Sequence, residues 1–395
     1  MDAEQNRWFK CYISIPSNFM QPETEILIIG GGLAGLTAAL HLNKLGIHVT
    51  LIEKDTYPHH KVCGEYISNE VLPYFKWLGL HTEDLNPTSI SDLLFTSLSG
   101  KSIQTALPLG GFGLSRYTID HYLYNELIKR NIKVIHERVV QIDFANDQFM
   151  VETTNSTYIA PYVIGSYGKR SAIDVKLNRN FINKQSPYLA VKAHYKADFP
   201  DHVVSLHNFE GGYCGLSKVE NNKLNICYLA DYNSFKKHKN IVAYQEKILY
   251  KNKHLKNIFE QAEIIFDAPL TISQISFETK EPVYKHILMI GDTAGLIHPL
   301  CGNGMAMAIH SAQLLSVLLH QKIKGKITSR AALEENYTSQ WNREFKTRLK
   351  MGRVLSALLR NNKLEGFAMN TLTRIPFLLK QIIKQTHGKP INIPQ

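Results

Sequence analysis

A short apolar run followed immediately by a glycine-rich turn constrains the fold of this chain more than any other feature. Residues 25–29 are Glu-Ile-Leu-Ile-Ile, which predicts a buried strand, and residues 30–35 are Gly-Gly-Gly-Leu-Ala-Gly. The stretch 36–45 that follows has the apolar spacing of a helix. A strand that passes through glycines into a helix is typical of the opening unit of a doubly wound α/β domain.

Each glycine of this turn meets a separate structural requirement. Gly30 permits the tight turn, Gly32 lets the backbone approach a pyrophosphate, and Gly35 lets the helix pack closely on the strand. The start of the helix offers backbone N–H groups and a positive dipole end to the phosphate charge, and Leu33 and Ala34 complete the turn that leads into it. These five residues are therefore predicted to bind a dinucleotide.

A second strand and an acidic residue follow at the spacing of a dinucleotide-binding fold. Gly46 ends the helix, and residues 49–53 predict the strand. Glu53 lies eighteen positions after Gly35, where an acidic side chain accepts hydrogen bonds from an adenosine ribose, and Lys54 adjoins it as a further cofactor contact. The pattern predicts a dinucleotide site but does not separate NAD from FAD.

A glycine-rich segment further along the chain distinguishes FAD from NAD. Residues 287–290 predict a buried strand, and residues 291–305 are Gly-Asp-Thr-Ala-Gly-Leu-Ile-His-Pro-Leu-Cys-Gly-Asn-Gly-Met, opening a helix over 305–319. The segment resembles the second FAD motif of the para-hydroxybenzoate hydroxylase and geranylgeranyl reductase superfamily, whose aspartate bonds the ribityl chain. The resemblance implies non-covalent FAD bound by Gly291, Asp292, Pro299, Gly302, Asn303, Gly304 and Met305.

Two segments in the middle of the chain resemble the same superfamily. Residues 113–116, Gly-Leu-Ser-Arg, followed by Asp120, are similar to the segment that places an arginine beside the cofactor, so Arg116 is predicted to bind a phosphate oxygen or a nearby acidic group. Residues 163–171 are similar to a strand and turn in which the superfamily has Ala-Asp-Gly. Tyr167 stands at the aspartate position, so the turn is expected without the role of that aspartate.

The segment 61–68, Lys-Val-Cys-Gly-Glu-Tyr-Ile-Ser, resembles the Cys-Gly-Gly stretch of geranylgeranyl reductases. The resemblance places Cys63 close to the flavin ring and makes Cys63 and Glu65 the candidate catalytic residues. A small buried hydrophobe is the alternative reading of Cys63. Glu65, which replaces a glycine, is expected to orient the flavin, to contact Lys61 or to move a proton.

Between the cofactor segments the pattern changes to longer strands, predicted over 189–195, 203–209, 213–219 and 223–228. In relatives such a sheet covers the substrate cavity, and Phe209, Tyr213 and Tyr228 are the candidate pocket residues, although core packing is the default explanation for them. The segment 212–218 departs from the aromatic signatures of geranylgeranyl reductases and of flavin halogenases, because Gly215 stands where both have tryptophan. Halogenation is therefore set aside, and the reductase reading is weakened.

Two reactions remain open, with NAD(P)H as the expected electron donor in either case. No second GxGxxG unit is present, so the donor is expected to approach the flavin directly and not from a domain of its own. In the first, a monooxygenase hydroxylates an aromatic or polyketide-like substrate. In the second, a geranylgeranyl-reductase-like enzyme delivers hydride to a double bond of an isoprenoid or lipid. The first is favoured, because the reductase signature is incomplete. A flavin-binding protein without turnover is a third reading, made weaker by the complete set of cofactor motifs.

The net charge of +11 is concentrated at one end of the chain. From residue 341 to 395 there are eleven Lys or Arg against Glu344 and Glu365, on apolar residues with helical spacing. A solvated basic helix is the simple interpretation, and contact with an anionic membrane surface is the sharper one. No nucleic-acid motif accompanies this charge. Five cysteines without CxxC spacing argue against a disulfide framework or a zinc site, and a cytoplasmic location, peripheral at a membrane in the sharper reading, is expected.

These assignments predict an α/β protein with a Rossmann-like FAD-binding domain, an inserted antiparallel-sheet substrate domain and a helical C-terminal tail. The expected boundaries are an N-terminal extension over 1–22, the FAD-binding domain over 23–77, 110–182 and 277–324, the substrate domain over 78–109 and 183–276, and the basic helical region over 325–395.

Overall fold

The computed structural model describes residues 24–184, 186–238, 240–360 and 362–393. The predicted N-terminal extension, with Cys11, lies outside these residues.

The strands, in chain order, are β1 Ile26–Ile29, β2 Val49–Ile52, β3 Tyr66–Ser68, β4 Thr88–Thr96, β5 Ser102–Gly113, β6 Lys133–Ile135, β7 Val139–Ala145, β8 Gln148–Thr153, β9 Thr157–Ala160, β10 Tyr162–Gly165, β11 Tyr188–Lys196, β12 Val203–Phe209, β13 Gly212–Val219, β14 Lys223–Asp231, β15 Glu263–Ile264, β16 Leu270–Ser273, β17 Val283–Tyr284 and β18 Ile287–Met289. The α-helices are α1 Leu33–Lys44, α2 Leu72–Leu78, α3 Arg116–Lys129, α4 Ala172–Lys176, α5 Tyr232–Lys236, α6 Ile241–Lys247, α7 Lys253–Gln261, α8 Gly304–Ile323, α9 Arg330–Arg360, α10 Asn362–Arg374 and α11 Pro376–Thr386.

A mainly parallel sheet carries both glycine motifs. Its strand order is β17-β18-β10-β1-β2-β6, and only the edge strand β17 runs antiparallel. Strands β1 and β2 are buried at every position, as expected for a sheet covered on both faces. Helix α1 begins three residues earlier than predicted, because the amide of Leu36 already bonds the carbonyl of Gly32 inside the turn. The predicted Rossmann-like α/β fold is confirmed.

A larger, mostly antiparallel sheet lies beside it, in the order β15-β11-β14-β13-β12-β4-β5-β3, with β16 also paired to β11. A hairpin joins β13 and β14 through Glu220–Asn222, where Asn221 has φ 59°, a conformation that asparagine tolerates. Strand β3 belongs to this sheet through its pairing with β5, although residues 23–77 were expected in the cofactor domain.

The two faces of the large sheet are covered differently. One face packs on α5, α6 and α7, with Tyr244 and Leu255 fully buried between them. Part of the other face meets the second glycine motif, where Tyr213 and Leu229 pack with Leu296. The sheet therefore closes over the carboxyl ends of the parallel strands, where ligands bind in open α/β folds.

Candidate active site

The first glycine turn excludes side chains at two positions. Gly30 has φ +105°, and a Cβ atom there would overlap the backbone of Ser166. A Cβ atom at Gly35 would overlap the carbonyl oxygen of Gly30. The hydroxyl of Ser166 donates to the carbonyl oxygens of Ile29 (2.9 Å) and Gly30 (2.6 Å) and holds the two turns together. Close packing at Gly35 agrees with the requirement read from the sequence.

Gly32 differs because it borders a space with two cations. A Cβ atom there would lie 3.7 Å from Nη2 of Arg116 and 4.0 Å from Nζ of Lys61. Gly32 is also the N-cap of α1, and no side chain of the described residues caps that helix. The start of a helix and two positive side chains at this point are the groups that bind phosphate in proteins, so the arrangement agrees with the role predicted for Gly32.

Arg116 and Lys61 share one carboxylate. The guanidinium of Arg116 donates to both oxygens of Asp120 (2.8 and 2.6 Å), and Nζ of Lys61 lies 3.1 Å from the same carboxylate. Burial opposes the charged form of Asp120, but the charges of Arg116 and Lys61 outweigh it and hold its pKa below the ordinary value. Two cations with one anion leave one net positive charge beside Gly32 for a phosphate.

Glu53 stabilises the glycine turn through hydrogen bonds to backbone amides. Its carboxylate accepts the amide of Gly31 (2.6 Å) and the amide of Asp55 (3.0 Å). The hydroxyl of Tyr57 donates to the carbonyl of Gly31. Lys54 is half exposed and pairs with Asp55. Contact of Glu53 or Lys54 with the adenosine part of a cofactor stays a prediction.

The two glycine motifs meet at the carboxyl ends of β1 and β18, the two strands that flank β10 in the parallel sheet. Gly291 has φ +60°, and a Cβ atom there would lie 3.0 Å from the Cβ of Ala34 in α1. The amide of Gly168 donates to Oγ1 of Thr293 (2.8 Å), which joins the turn after β10 to the turn after β18. Leu33 and Ala34, the first residues of α1, are buried at this junction.

Two buried cations that the sequence did not reveal support the second motif. Nζ of Lys280 donates to the backbone carbonyl of Asp292 (2.8 Å), and the guanidinium of Arg179 donates to the carbonyl of Thr293 (2.8 Å) and lies 3.1 Å from Asp174. Burial lowers the pKa of Lys280 to about 8. No local pattern marks these roles, because Arg179 reaches the backbone of Thr293 and Glu281 more than 100 positions along the chain and Lys280 bonds backbone carbonyls.

The side chain of Tyr167 packs against residues of strands β10 and β18. Its hydroxyl lies 3.6 Å from the sulfur of Met289, and its ring covers Gly165. The turn expected around Tyr167 is present, and its aromatic side chain serves packing.

In the rest of the second motif, Pro299 is exposed, Gly302 adopts φ +62°, and Gly304 and Met305 begin α8. The side chain of Asn303 is engaged elsewhere, so cofactor binding through the backbone of Asn303 stays a prediction. Its side-chain amide donates to the carbonyl of Thr386 (3.1 Å) and lies 3.4 Å from the Glu70 carboxylate, so this side chain faces the C-terminal segment.

The segment around Cys63 is anchored to the large sheet. The amide of Asn225 donates to the carbonyls of Cys63 (3.2 Å) and Gly64 (2.9 Å), and the hydroxyl of Ser217 donates to Gly64 as well (3.1 Å). Cys63 itself is half-buried. The expected position of Cys63 beside a cofactor is compatible with the segment lying between the sheet and Arg116.

Glu65 is fully buried in a cluster of charges. One of its oxygens lies 2.7 Å from Nζ of Lys192 and accepts the Arg116 amide (2.8 Å), and the other lies 2.6 Å from Nε2 of His194. Burial opposes the ionised form, but the hydrogen bond from His194 and the charge of Lys192 lower the pKa of Glu65 below its ordinary value. Of the three expected roles, contact with Lys61 is wrong, because that lysine pairs with Asp120.

An aromatic cleft lies between the large sheet and the second motif. The His298 ring lies 5.7 Å from the Tyr213 ring, 6.1 Å from the Tyr188 ring and 4.4 Å from the Phe277 ring. The cleft is lined by Tyr188, Asn208, Gly211, Gly212, Tyr213, Leu229, His298, Leu300, Ser356, Leu359 and Arg360. Of these, only Tyr213 was expected from the sequence.

His298 is buried with an unused hydrogen-bond donor. Its Nδ1 accepts the amide of Leu300 (3.5 Å), so the proton of the neutral ring lies on Nε2. Nε2 is buried without a hydrogen-bond partner among the described residues. Burial, assisted by the charge of Arg360, lowers the pKa of His298 to about 3, so the ring is neutral at physiological pH. A buried donor without a partner favours a ligand that supplies an acceptor.

Two expected pocket residues lie elsewhere. Phe209 and Tyr228 face the helical layer, where each ring lies within 6.4 Å of the Tyr244 ring. The register explains the separation: Tyr213 pairs with Leu229, whereas Tyr228 pairs with Cys214, and neighbouring positions of a strand point to opposite faces. The placement of Phe209 and Tyr228 in the pocket is therefore corrected to core packing.

Among the residues that the structure describes, there is no group of three or more His, Cys, Asp or Glu side chains that could hold a metal ion. Within the same residues, no helix combines the length and hydropathy that crossing a bilayer requires.

Comparison with known proteins adds a family. The model of the FAD-binding domain family matches residues 23–344. The digeranylgeranylglycerophospholipid reductase of Methanosarcina acetivorans is 23% identical over 337 residues, covering 80% of each chain. The FAD-dependent monooxygenase janM of Penicillium janthinellum is 24% identical over 361 residues, covering 81% of this chain and 73% of the relative. The solved flavin-dependent halogenase CmlS matches with a TM-score of 0.76 and 19% identity, covering 94% of this chain and 74% of its own, which shows the shared fold.

Proposed function

This chain belongs to the FAD-binding domain family, and we propose that it is a flavoprotein monooxygenase that hydroxylates an aromatic or polyketide-like small molecule. Its broader class, an FAD-dependent oxidoreductase, follows from the family and from relatives named as monooxygenases and reductases. The specific reaction is the proposal.

The residues present fit FAD at the junction of the two glycine motifs. The pyrophosphate would lie at Gly32 and the uncapped start of α1, with Arg116 and Lys61 supplying the positive charge. Asp292 would bind the ribityl chain, and Lys280 and Arg179 hold the backbone of that turn in place. When bound, FAD supplies the redox chemistry, and the protein supplies position, charge and a shielded cavity.

The electron donor we propose is NAD(P)H. The sequence has one strand–glycine–helix unit of the dinucleotide type, at residues 25–45. A nicotinamide would therefore approach the flavin from the cleft or an opening beside it, without a binding domain of its own.

The observation that carries the choice of oxygenation is the unused donor of His298 in an aromatic cleft. The rings of Tyr188, Tyr213 and Phe277 surround His298 and leave a cavity of about 20 Å³, so a flat ligand enters only where these rings move apart. The Nε2–H group of His298 then supplies a donor to an oxygen or nitrogen acceptor of that ligand. A hydroxylated or carbonyl-bearing ring supplies that acceptor, whereas the double bond of an isoprenoid chain does not. Arg360, whose guanidinium lies 3.0 Å from the Tyr188 hydroxyl, adds a cation to the same wall.

The cluster at Glu65 has a positioning role in this proposal. Glu65 stays ionised and holds Lys192, His194 and the amide of Arg116, so it fixes both the Cys63 segment and the start of α3. In an oxygenase Cys63 would be part of this support. The reductase alternative is favoured by the digeranylgeranylglycerophospholipid reductase relative, and in that reaction Cys63 would donate the proton.

Turnover with and without oxygen tests the proposal. Purified protein loaded with FAD is given NADH or NADPH and a panel of hydroxylated aromatic and polyketide compounds, and each product is identified by mass. We expect some panel members to stimulate NAD(P)H oxidation in air and to gain one oxygen atom. Saturation of an isoprenoid double bond under nitrogen, with no oxygenated product in air, would overturn the proposal in favour of the alternative.

His298 variants connect that reaction to the cleft. His298→Phe removes the donor and should raise the KM for a stimulating ring compound about tenfold, as expected for one lost hydrogen bond. His298→Gln keeps an N–H donor and should recover part of the affinity. Equal KM values for both variants and the parent would show that the ligand does not use Nε2.

A further inference from the structure

The last two helices expose apolar side chains that the rest of the molecule leaves uncovered. On α10 the ring of Phe367 is 73% exposed, and at the start of α11 Phe377 is 63% exposed. Ile375 and Leu378, close to the junction of the two helices, are also exposed. Large aromatic residues at such exposure, close together in the chain, are typical of an interaction site.

Those helices are firmly docked through their opposite faces. Met369 of α10 and Leu379 and Ile383 of α11 are buried in a cluster with Ile90 and Phe95 of the large sheet. The apolar side chains that remain outside therefore belong to an ordered, two-sided helix pair, in which the second apolar side has nothing to pack on among the described residues.

Positive charge surrounds the exposed side. Arg374 ends α10, and Lys380 and Lys384 follow Phe377 at helical spacing on α11; all three are exposed. Lys101 of the neighbouring strand reaches α10 through the side chain of Asn370. We call Phe367, Ile375, Phe377 and Leu378, with Arg374, Lys380 and Lys384, the basic apolar patch.

The one acidic side chain of α10 and α11 is buried. Glu365 is the one acidic residue in the sequence after Glu344. Its side chain is buried and accepts the amide of Leu98 (3.0 Å), with the side chain of Asn208 3.3 Å away. The exposed side of α10 and α11 therefore presents apolar and positive groups together.

We propose that the basic apolar patch docks on an anionic lipid bilayer. A bilayer interface accepts both components at once, because phenylalanine and leucine side chains insert shallowly while lysine and arginine pair with lipid phosphates. A protein partner with an acidic groove and a second copy of this chain are the competing occupants. The positive charge favours a bilayer over a second copy of this chain, because two copies of the patch in contact would place like charges against each other.

The patch is linked to the second cofactor motif. The carbonyl of Thr386, the last residue of α11, accepts the side chain of Asn303, and the amide of Gly388 donates to Glu70 (2.6 Å). A bilayer bound at α11 is therefore connected to the N-terminal end of α8 through α11 itself and the contact of Thr386 with Asn303. This inference does not depend on which reaction the flavin performs.

Flotation with vesicles tests the proposal on the full chain loaded with FAD. We expect the protein to float with vesicles of phosphatidylglycerol and phosphatidylcholine and to remain unbound with phosphatidylcholine alone. The double variant Lys380→Glu with Lys384→Glu should weaken binding by roughly thirtyfold or more, as expected when two lysines stop contributing. Phe367→Ser with Phe377→Ser should weaken it at unchanged charge.

Control measurements distinguish a loss of membrane docking from a loss of correct folding. Val242→Ser removes a similarly exposed apolar residue on α6 and should leave binding unchanged. FAD content and the circular dichroism spectrum of each variant report correct folding. No flotation of the parent protein with anionic vesicles, or equal flotation of the charge-reversed variant, would overturn the proposal. Concentration-dependent dimers that the patch variants abolish, without vesicle binding, would assign the patch to a second copy instead.

Discussion

The carboxylate of Glu65 lies 2.7 Å from the Nζ atom of Lys192, and both side chains are fully buried. His194 occupies the other carboxylate oxygen at 2.6 Å. This arrangement ties a segment near the first cofactor motif to the middle of strand β11. It also makes Glu65 the group that compensates a buried positive charge.

Removal of that compensation should destabilise the protein strongly. Glu65→Ala leaves Lys192 charged without its partner, and we expect the free energy of unfolding to fall by about 3–5 kcal/mol, measured by urea denaturation. Glu210→Ala is the matched control, because its pair with Lys251 is more than half exposed; it should cost less than about 1 kcal/mol. A loss at Glu65 as small as that of the control would mean that Lys192 does not depend on this carboxylate.

Substitution of Cys63 separates the two reactions. Cys63→Ser changes little volume, and the backbone contacts of Asn225 with this segment are kept, so FAD content should match that of the parent. In an oxygenase we expect the rate of product formation to change by less than about tenfold. A fall of roughly 10²- to 10⁴-fold in substrate reduction, with normal flavin reduction by NAD(P)H, would identify Cys63 as the proton donor of a reductase instead.

The parts of the site that depend on local rules are predictable from the sequence. Gly35 follows from the turn itself, since a side chain there would meet the carbonyl of Gly30, and Gly30 follows from the positive φ that the turn requires. The residues that hold Glu65 are not predictable in this way. Lys192 and His194 lie 127 and 129 positions further along the chain and become neighbours only when β11 crosses the Cys63 segment.

Strand faces explain the remaining differences. Tyr213 and Tyr228 lie on neighbouring strands, and a pattern of aromatic residues does not show which of them faces the cofactor. The register that pairs Tyr213 with Leu229 places Tyr228 on the helical side. Asn303 belongs to a glycine motif, yet its side chain bonds a helix end 83 positions away. Both outcomes depend on tertiary packing, which spacing in the sequence does not contain.

Two substitutions test the cofactor cradle. Gly32→Val fills the space beside Arg116 and Lys61 and should weaken FAD binding at least as much as Asp292→Ala. For Asp292→Ala, loss of a charge-assisted acceptor predicts a Kd about ten to one hundred times higher. Fluorescence titration of apoprotein with FAD measures both. Gly366→Ala, in α10 with no described atom within 4 Å of the added Cβ, should bind FAD like the parent. An unchanged Kd for FAD in Asp292→Ala would mean that this aspartate does not bind the cofactor.

Buried histidines predict a loss of stability in mild acid. Burial lowers the pKa of His41, His207 and His298 from 6.5 to about 3. Below pH 6.5 the unfolded chain therefore binds protons that the folded chain does not, so stability falls as the pH is lowered towards 3. Each histidine contributes about 1.4 kcal/mol per pH unit in this window.

Urea unfolding at pH 6.5, 6.0 and about 5.5 measures this slope directly. His207→Gln should reduce the slope by the contribution of one histidine while retaining a side chain that hydrogen-bonds. A free energy of unfolding that is flat over the same range would contradict the neutral, buried state of these rings.

The most direct test of flavin-dependent oxygenation is the origin of the oxygen atom in the product. FAD-loaded protein, NAD(P)H and a stimulating aromatic or polyketide compound are incubated under ¹⁸O₂ in ordinary water, and the product is analysed by mass spectrometry. The account predicts one ¹⁸O atom per product molecule and one NAD(P)H oxidised for each coupled turnover. A product without ¹⁸O, or one that has gained two hydrogens at a carbon–carbon double bond, would contradict it.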